Sequence, residues 1–332
     1  MNYLLFPASI VGGLGLVYGL ILAIASKKFY VEVDPKIEEI SEALPGVNCG
    51  ACAYPGCSAY AEAIVRNSED ITKCAPGGDD VISHISSIMG VSADLKEKNI
   101  AVIKCQSGGA NNTFFRYDYN GVNTCLAMGQ MADGINKCSY GCMGGNDCVR
   151  SCKFNAIELD EFNNRIINKE LCTGCGACVV ACPRELIELV PISKQVHVKC
   201  MSKDTGAIAR GSCGAKKACI GCTLCAKVCP TECISIDSFL ATINYEKCIS
   251  CGLCTKKCPT KAIATEKTKV GVAEINPKKC IGCTLCARGC PVDAIDGELK
   301  KPHSVRAKDC IGCEVCYVHC PRQAIKMRYG ES

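Results

Sequence analysis

Residues 219–230 read CIGCTLCAKVCP, which places four cysteines within eleven residues and a proline directly behind them. The last four copies of this spacing start 29, 32 and 30 residues apart, and such self-similarity indicates a repeated structural unit. We expect each unit to hold a ligand loop, a short helix begun by the proline-bearing turn and a small strand, and two units to form one compact module. The C-x2-C-x2-C-x3-C copies begin at Cys172, Cys219, Cys248, Cys280 and Cys310.

Cysteine dominates the composition, with 33 cysteines among 332 residues, 5% aromatic residues and no tryptophan. Such a content is typical of disulfide scaffolds in short secreted chains or of metal-rich proteins in a reducing compartment. Three closely spaced thiolates of this run bind one [4Fe–4S] cluster, and the fourth ligates the neighbouring cluster. Zinc ribbons use separated C-x2-C pairs instead. The spacing therefore favours iron–sulfur clusters over zinc and disulfides.

An irregular block, Cys138-x3-Cys142-x5-Cys148-x3-Cys152, supplies a partner for the run at Cys172. It departs from the regular spacing, and Lys153 stands where proline is usual. With fourth cysteines crossed between halves, three modules bind six clusters. The predicted ligand sets are Cys138, Cys142, Cys148 with Cys182; Cys172, Cys175, Cys178 with Cys152; Cys219, Cys222, Cys225 with Cys258; Cys248, Cys251, Cys254 with Cys229; Cys280, Cys283, Cys286 with Cys320; and Cys310, Cys313, Cys316 with Cys290.

A separate motif lies nearer the N-terminus, where Cys49, Cys52 and Cys57 are followed by Cys74. Four thiolates complete a seventh cluster site, although spacing alone leaves zinc open as an alternative. The seven predicted clusters use 28 cysteines.

Five cysteines remain. Cys233 occupies the position that the sister copies fill with Ala262, Ala294 and Ala324, so we expect a small buried residue there. The other four flank the first module, and they either converge on an eighth cluster or remain unbound buried thiols. They are Cys105, Cys125, Cys200 and Cys213.

The N-terminal segment has no charged residue between Asn2 and Ser26, and at 1.5 Å per residue it can cross a hydrocarbon core about 30 Å thick. The alternative is a signal peptide, but no basic region precedes the apolar run. Lys27 and Lys28 follow directly, so the positive-inside rule predicts a single-pass protein of the cell membrane with its N-terminus outside and its cluster domains in the cytoplasm.

Charge is distributed unevenly along the chain. The formal net charge is +5, and residues 255–332 carry 15 Lys and Arg against 8 Asp and Glu. Since each [4Fe–4S] cluster with four thiolates carries about −2, seven clusters bring the net charge to about −9. The basic C-terminal region is either a solvated face that offsets its clusters or a docking surface for an acidic electron carrier.

The sequence shows no glycine-rich nucleotide loop after a strand, no catalytic carboxylate pair and no activated nucleophile. We therefore expect no self-contained catalytic site and no nucleic-acid partner. The histidines are scattered and are expected to be surface or packing residues: His84, His197, His303 and His319.

The uncharged N-terminal segment, the motif at Cys49 to Cys74 with residues 60–64 (YAEAI) inside it, and the succession of ferredoxin modules resemble the B subunit of the Rnf electron-transport complex, an ion-translocating ferredoxin:NAD+ oxidoreductase. The resemblance covers roughly residues 1–260, and the third module resembles an extension. It implies seven, or with the extra cysteines eight, [4Fe–4S] clusters. It also implies a membrane-anchored subunit that accepts electrons from reduced ferredoxin. Partner membrane and NAD-binding subunits would then reduce NAD+ and translocate Na+ or H+. The alternative function is a polyferredoxin subunit of a hydrogenase or other dehydrogenase complex.

The predicted architecture is α+β, with one N-terminal transmembrane helix, a small four-cysteine iron–sulfur domain and tandem 2[4Fe–4S] bacterial-ferredoxin-like modules. An amphipathic helix is expected near residues 81–89. The expected domains are the anchor at 1–28, the four-cysteine domain at 29–90, a linker region at 91–137, an irregular ferredoxin-like module at 138–215, a second module at 216–270 and a third at 271–332.

Overall fold

The computed structural model describes residues 2–28, 34–92, 97–109, 112–265 and 271–329, with side chains described from residue 11. Helix α1 (Asn2–Lys28) contains a candidate membrane span at Val11–Lys28, whose mean hydropathy is 1.4 and of which nothing is buried against the rest of the chain. By length and composition this helix can cross a membrane. A signal sequence would pass the same test.

A small helical domain follows, with α2 (Pro35–Ala43), α3 (Cys57–Asn67) and α4 (Gly78–Met89). The Asp34 carboxylate accepts a hydrogen bond from the Lys36 N–H at 2.9 Å, which caps α2. The helix expected near residues 81–89 is confirmed and begins three residues earlier. The domain has an apolar core of its own, in which the most deeply buried side chains are Ile40, Tyr60, Ile64 and Ile85.

Three ferredoxin-like modules make up the rest of the described chain. The first contains β1 (Asn99–Ile103), α5 (Cys125–Gln130), α6 (Asp147–Ser151), β2 (Ile157–Leu159), β3 (Arg165–Ile167), α7 (Ala177–Val180) and β4 (Ile187–Pro191). The second contains β5 (Val196–Val198), α8 (Gly206–Ser212), α9 (Leu224–Lys227), β6 (Ile234–Asp237), β7 (Leu240–Ile243), α10 (Leu253–Lys257) and β8 (Ile263–Thr265). The third contains β9 (Gly271–Ile275), α11 (Leu285–Arg288), β10 (Ile295–Asp296), β11 (Ser304–Val305), α12 (Val315–Val318) and β12 (Ile325–Tyr329).

All three modules share one topology. The strand that enters a module pairs antiparallel with the strand that leaves it, as β1 with β4, β5 with β8 and β9 with β12. The two middle strands form a hairpin, as β2 with β3, β6 with β7 and β10 with β11. The entering strand therefore closes each module around its two cysteine-rich halves.

Strand pairing divides the chain differently from the domain boundaries expected at 137/138 and 215/216. Strand β1 lies in the expected linker region but pairs with β4, and β5 lies in the expected first module but pairs with β8. These strands are three to five residues long, so their partners cannot be recognised from hydrophobic pattern alone. The described residues of 104–109 and 112–137 form an insertion in the first module, where Met128 and Ile135 pack with Met143 in a small core of their own.

The short helices also differ from the expectation that the proline-bearing turn begins them. Helix α9 contains the third cysteine of its run, Cys225, and ends at Lys227, before Cys229 and Pro230. Proline has no N–H and disfavours helical backbone at the residue before it. The Cys-Pro pair therefore ends the helical segment and turns the chain towards the next strand.

Lys153 connects the small helical domain to the first module. Its ammonium group donates hydrogen bonds to the carbonyl oxygens of Val47 and Asn48, at 3.3 and 3.0 Å. The side chain that stands in place of proline thus forms a contact between two domains. This contact links Lys153, which follows Cys152, to the segment that precedes Cys49.

The role of β1 can be tested with Ile100→Asp. Ile100 is 1% exposed and lies opposite Val190 in the β1–β4 ladder, so a carboxylate there should destabilise the first module by about 3 kcal/mol. Limited proteolysis should then cleave within residues 99–191 and leave the third module resistant. Asn99→Asp, on the exposed neighbouring position, is the matched control. Unchanged resistance of the Ile100 variant would show that β1 is not part of the module.

Candidate iron–sulfur sites

Two left-handed residues shape each regular ligand loop. In the loop at Cys280, Gly282 has φ +66° and Thr284 has φ +64°, and a Cβ on Gly282 would lie 2.4 Å from the Lys301 backbone nitrogen. Backbone N–H groups in such a conformation form a concavity that binds anions, including iron–sulfur clusters. The same two positions are left-handed in the other four loops, at Gly174 and Gly176, Gly221 and Thr223, Ser250 and Gly252, and Gly312 and Glu314.

In the third module, one predicted ligand set lines a single cavity with an empty volume of about 350 Å³. His303 also lines this cavity, and its Nε2 atom is buried without a hydrogen-bond partner in the described structure. Four thiols around one cavity fit an iron–sulfur cluster, because thiolates ligate its iron atoms. The thiols belong to Cys280, Cys283, Cys286 and Cys320.

In three further sets, the third cysteine of the run is surrounded by the other members. Burial and the neighbouring thiols together raise the pKa of Cys316 to about 12, that of Cys254 to about 12 and that of Cys178 to about 11. In each case these neighbours include the fourth cysteine of the opposite half. The neighbours are Cys313, Cys310 and Cys290; Cys251, Cys248 and Cys229; and Cys172, Cys175 and Cys152.

In the remaining regular set, three of the four predicted ligands lie near one another. Burial and the thiols of Cys219 and Cys222 together raise the pKa of Cys225 to about 11. Cys258, the fourth predicted member, accepts from backbone N–H groups of Ala262 and Ile263, which help to lower its pKa. The thiols of Cys219 and Cys222 therefore lie close enough to that of Cys225 to interact with it electrostatically.

The four cysteines of the small helical domain also lie together. Burial and the thiols of Cys57, Cys52 and Cys49 together raise the pKa of Cys74 to about 11. The Asn48 side chain accepts a hydrogen bond from the Cys57 N–H at 2.7 Å, which holds the start of α3 beside the ligand loop.

The fourth cysteines share a hydrogen-bond pattern. The backbone N–H four residues later donates to the sulfur, at 3.2 Å from Ala294 to Cys290 and at 3.3 Å from Ala324 to Cys320. Cys233 occupies this alanine position after Cys229; it is 6% exposed, and its sulfur lies 3.4 Å from the Cys229 sulfur. The structure therefore supports a packing role for Cys233.

The irregular block differs from its predicted set. One cavity, with an empty volume of about 430 Å³, is lined by Cys142, Cys148, Cys182 and Cys125. Cys138, the predicted fourth member, lines a second cavity of about 470 Å³ together with Cys105, Cys200 and Cys213. The structure brings these eight thiols together in two groups of four, but Cys125 and Cys138 have exchanged places relative to the sequence-based sets.

Zinc and iron–sulfur clusters place their cysteine ligands at different distances from one another. Among the described residues, no three His, Cys, Asp or Glu side chains are close enough to hold one metal ion. Four thiolates on one zinc ion, with Zn–S bonds of about 2.3 Å, would lie only about 3.8 Å apart. A cubane spreads its thiolates wider, since each binds a different iron. None of the 33 cysteines, all within the described ranges, forms a disulfide.

Two of the four histidines are buried, and the ring Nδ1 of each lies at hydrogen-bond distance from an oxygen atom. His197 is fully buried, and its Nδ1 lies 3.1 Å from the Tyr245 hydroxyl. His303 Nδ1 lies 3.1 Å from the Lys301 carbonyl. These contacts support the expected packing roles.

Comparison with family models agrees with the positions of the cysteine groups. Residues 44–76 match a family described as a putative Fe-S cluster, and residues 165–188 match a 4Fe-4S binding domain. Residues 218–263, 241–296 and 273–327 match 4Fe-4S dicluster domains. The chain thus carries iron–sulfur domains along most of its length beyond α1.

Among solved structures, a formate dehydrogenase–heterodisulfide reductase–formylmethanofuran dehydrogenase complex from Methanospirillum hungatei matches 56% of this chain and 77% of its own at 20% identity. Its TM-score of 0.24 is too low to support an argument about the fold.

Curated relatives match over longer ranges. The B subunit of a Na(+)-translocating ferredoxin:NAD(+) oxidoreductase complex from Acetobacterium woodii is 41% identical over 74% of this chain and 73% of its own length. The B subunit of an ion-translocating oxidoreductase complex from Methanosarcina acetivorans is 39% identical over 74% and 92%. The B subunit of a proton-translocating ferredoxin:NAD(+) oxidoreductase complex from Clostridium ljungdahlii is 36% identical over 64% and 75%. With this identity and coverage, the chain belongs to the B-subunit family of the ion-translocating, Rnf-type oxidoreductase complexes.

Proposed function

We propose that this chain is the multi-cluster electron-transfer subunit of an ion-translocating ferredoxin:NAD+ oxidoreductase. It accepts electrons from reduced ferredoxin and passes them to membrane and NAD-binding subunits. One observation carries the proposal: successive groups of four cysteines lie beside one another along the chain. When bound, [4Fe–4S] clusters supply one-electron chemistry, and the protein sets their spacing and surroundings.

The proximity of neighbouring cysteine groups supports a continuous path for electrons from one group to the next. Within the third module the Cys286 thiol is near enough to raise the pKa of Cys316, and within the second the Cys225 thiol does the same for Cys254. Between these modules, the Cys251 thiol acts on Cys313 in the same way. The small helical domain adjoins the first module through Lys153.

The modules depend on cysteine for their cores. The buried cores of the second and third modules include Cys219, Cys225, Cys248 and Cys254, and Cys286 and Cys316. The helical domain instead buries mainly isoleucine, and Cys74 is the one thiol of this domain that is counted in its buried core. Ligands that form only in the folded state couple metal binding to folding, so loss of iron should affect these two parts unequally.

We expect removal of iron with a chelator to unfold the modules and to spare the helical domain. Hydrogen exchange should show lost protection in residues 99–329, while the helices in 35–89 keep most of theirs. Iron and acid-labile sulfide should be present in equal amounts before chelation. Stoichiometric zinc with little sulfide would contradict the proposal, as would modules that keep full protection without metal.

The membrane orientation is part of the proposal. The uncharged helix ends in Lys27 and Lys28, which favours an N-terminus outside and cysteine groups in the cytoplasm. Protease added to sealed right-side-out vesicles should leave residues 34–329 intact, and permeabilised vesicles are the control in which they are digested. Digestion in sealed vesicles would reverse the orientation.

We propose the third module as the site where ferredoxin docks, because its region carries the basic surplus. Some of this charge is compensated: Lys301 pairs with Glu298 at 2.7 Å, and Arg306 pairs with Asp296 and Asp309. Lys278 and Lys279 are exposed on the turn between β9 and the first ligand loop, next to Cys280. Substitution of these two lysines therefore tests electrostatic steering of ferredoxin more directly than substitution of the paired Lys301 or Arg306.

Reversal of these two charges, Lys278→Glu with Lys279→Glu, should slow reduction by ferredoxin about tenfold at low ionic strength. The difference should shrink as salt rises, because the Debye length falls to about 8 Å at physiological ionic strength. Stopped-flow absorbance measures the rate. Lys36→Glu with Lys98→Glu, which makes the same charge change at two exposed sites elsewhere, is the control. Equal slowing in both variants would place the docking surface outside the third module.

A further inference from the structure

The largest departure from the sequence pattern lies at the junction of the first and second modules. Cys105 follows β1, Cys138 begins the irregular block, Cys200 follows β5 and Cys213 follows α8. They are separated by up to 108 residues, yet they line one cavity. We call this the junction cavity.

The junction cavity resembles the regular sites in its lining. The regular set of the third module surrounds an empty volume of about 350 Å³, and the junction cavity has about 470 Å³. Both are lined by four thiols drawn from different segments of the chain. Ser107 lies at the rim, with its hydroxyl 3.8 Å from the Cys213 sulfur.

The neighbouring cavity accounts for the cysteines that remain. Burial and the thiols of Cys142, Cys125 and Cys182 together raise the pKa of Cys148 to about 12. The Cys213 thiol acts electrostatically on Cys138 within the junction cavity. Cys105 is acted on by the thiol of Cys142 as well as by that of Cys138, so the two groups lie side by side, and it is the cavity lining that separates them.

We propose that Cys105, Cys138, Cys200 and Cys213 bind an additional [4Fe–4S] cluster, and that Cys125 takes the place of Cys138 beside Cys142, Cys148 and Cys182. The proposal rests on the iron–sulfur assignment made above for the modules. It raises the number of clusters from seven to eight. It also explains the irregular spacing, because Cys138 and Cys142 no longer have to reach the same cluster.

Backbone hydrogen bonds connect the junction site to the cysteine groups on both sides of it. The backbone N–H of Cys142 donates to the Cys105 sulfur at 3.4 Å, which joins the junction site to the adjacent group in the first module. On the other side, the Cys219 N–H points at the Cys200 sulfur and helps to lower its pKa against the burial that raises it. Cys219 is the first ligand of the second module. The additional cluster therefore bridges the two modules in the electron path.

Backbone donors suit the junction site to a charged group. The Cys142 N–H and the Cys219 and Ser202 N–H groups are directed at its sulfurs, and such bonds stabilise thiolate over thiol. Two of these donors come from cysteines of the adjacent groups. The junction can therefore form only when both modules are folded against each other.

Two double variants of the anaerobically purified full chain test the grouping. Cys138→Ala with Cys213→Ala removes two ligands of one proposed cluster, and Cys125→Ala with Cys213→Ala removes one ligand from each of two. We expect the first to lose about four iron atoms and the second about eight, with sulfide falling in parallel. Cys233→Ala, which removes a packing thiol, is the control and should lose none.

Other groupings give different results. If Cys138 belongs with Cys142, Cys148 and Cys182 and an eighth cluster uses Cys125, the losses are reversed, at about eight and about four. If the extra cysteines are unbound thiols, the losses are about four and none. Either pair of values would overturn the proposal.

The parent chain provides a second measurement that needs no substitution. It should contain about 32 iron atoms and as many sulfides when fully loaded, and about 28 would overturn the proposal while leaving the electron-transfer function intact. Electron paramagnetic resonance of the reduced double variants should still show the third-module clusters, which checks that the remaining chain is folded. Absence of sulfide in the parent would instead contradict the proposed function itself.

Discussion

The crossing of the fourth cysteine between half-repeats is the constraint on which each ferredoxin module depends. In the third module, Cys290 comes from the first half but lies among the thiols of the second, and Cys320 makes the reverse crossing. The strands are two to five residues long and could not hold a fold of this size by themselves. Cysteine ligation therefore takes the place of the large aromatic side chains in which the composition is poor.

Departures from this repeat have local causes in the structure. Where proline is replaced by Lys153, the ammonium group bonds to the neighbouring domain. Where alanine is replaced by Cys233, the thiol packs against Cys229. Where the first cysteine of a run is displaced, as at Cys138, its thiol faces the junction cavity. The irregularities at Lys153 and Cys138 thus mark places where the first module contacts something outside its own repeat, whereas the one at Cys233 is a packing change within a repeat.

The arrangement also bears on how the modules depend on one another. The groups in the second and third modules approach through Cys251 and Cys313, and the first and second modules share the junction cavity. The junction group contains cysteines from both the first and the second module. Folding of one module therefore helps to position the ligands of the next. A chain with this organisation behaves as a linear array in which nearest-neighbour contacts supply part of the stability.

The sequence by itself determined the repeat, the α+β class, the apolar N-terminal helix and the family, because all of these depend on residues close together in the chain. The first three cysteines of a regular run, spaced three positions apart as at Cys172, Cys175 and Cys178, lie at one site, so the regular runs could be predicted without coordinates. The strand that pairs with β1 and the fourth cysteine of the Cys142 group could not be predicted from the sequence. Cys125 lies 17 residues before Cys142, and Cys213 lies 75 residues after Cys138, so no local spacing joins them. Only the tertiary structure, by pairing β1 with β4 and β5 with β8, brings Cys105 and Cys200 to the same cavity and decides which thiols are neighbours.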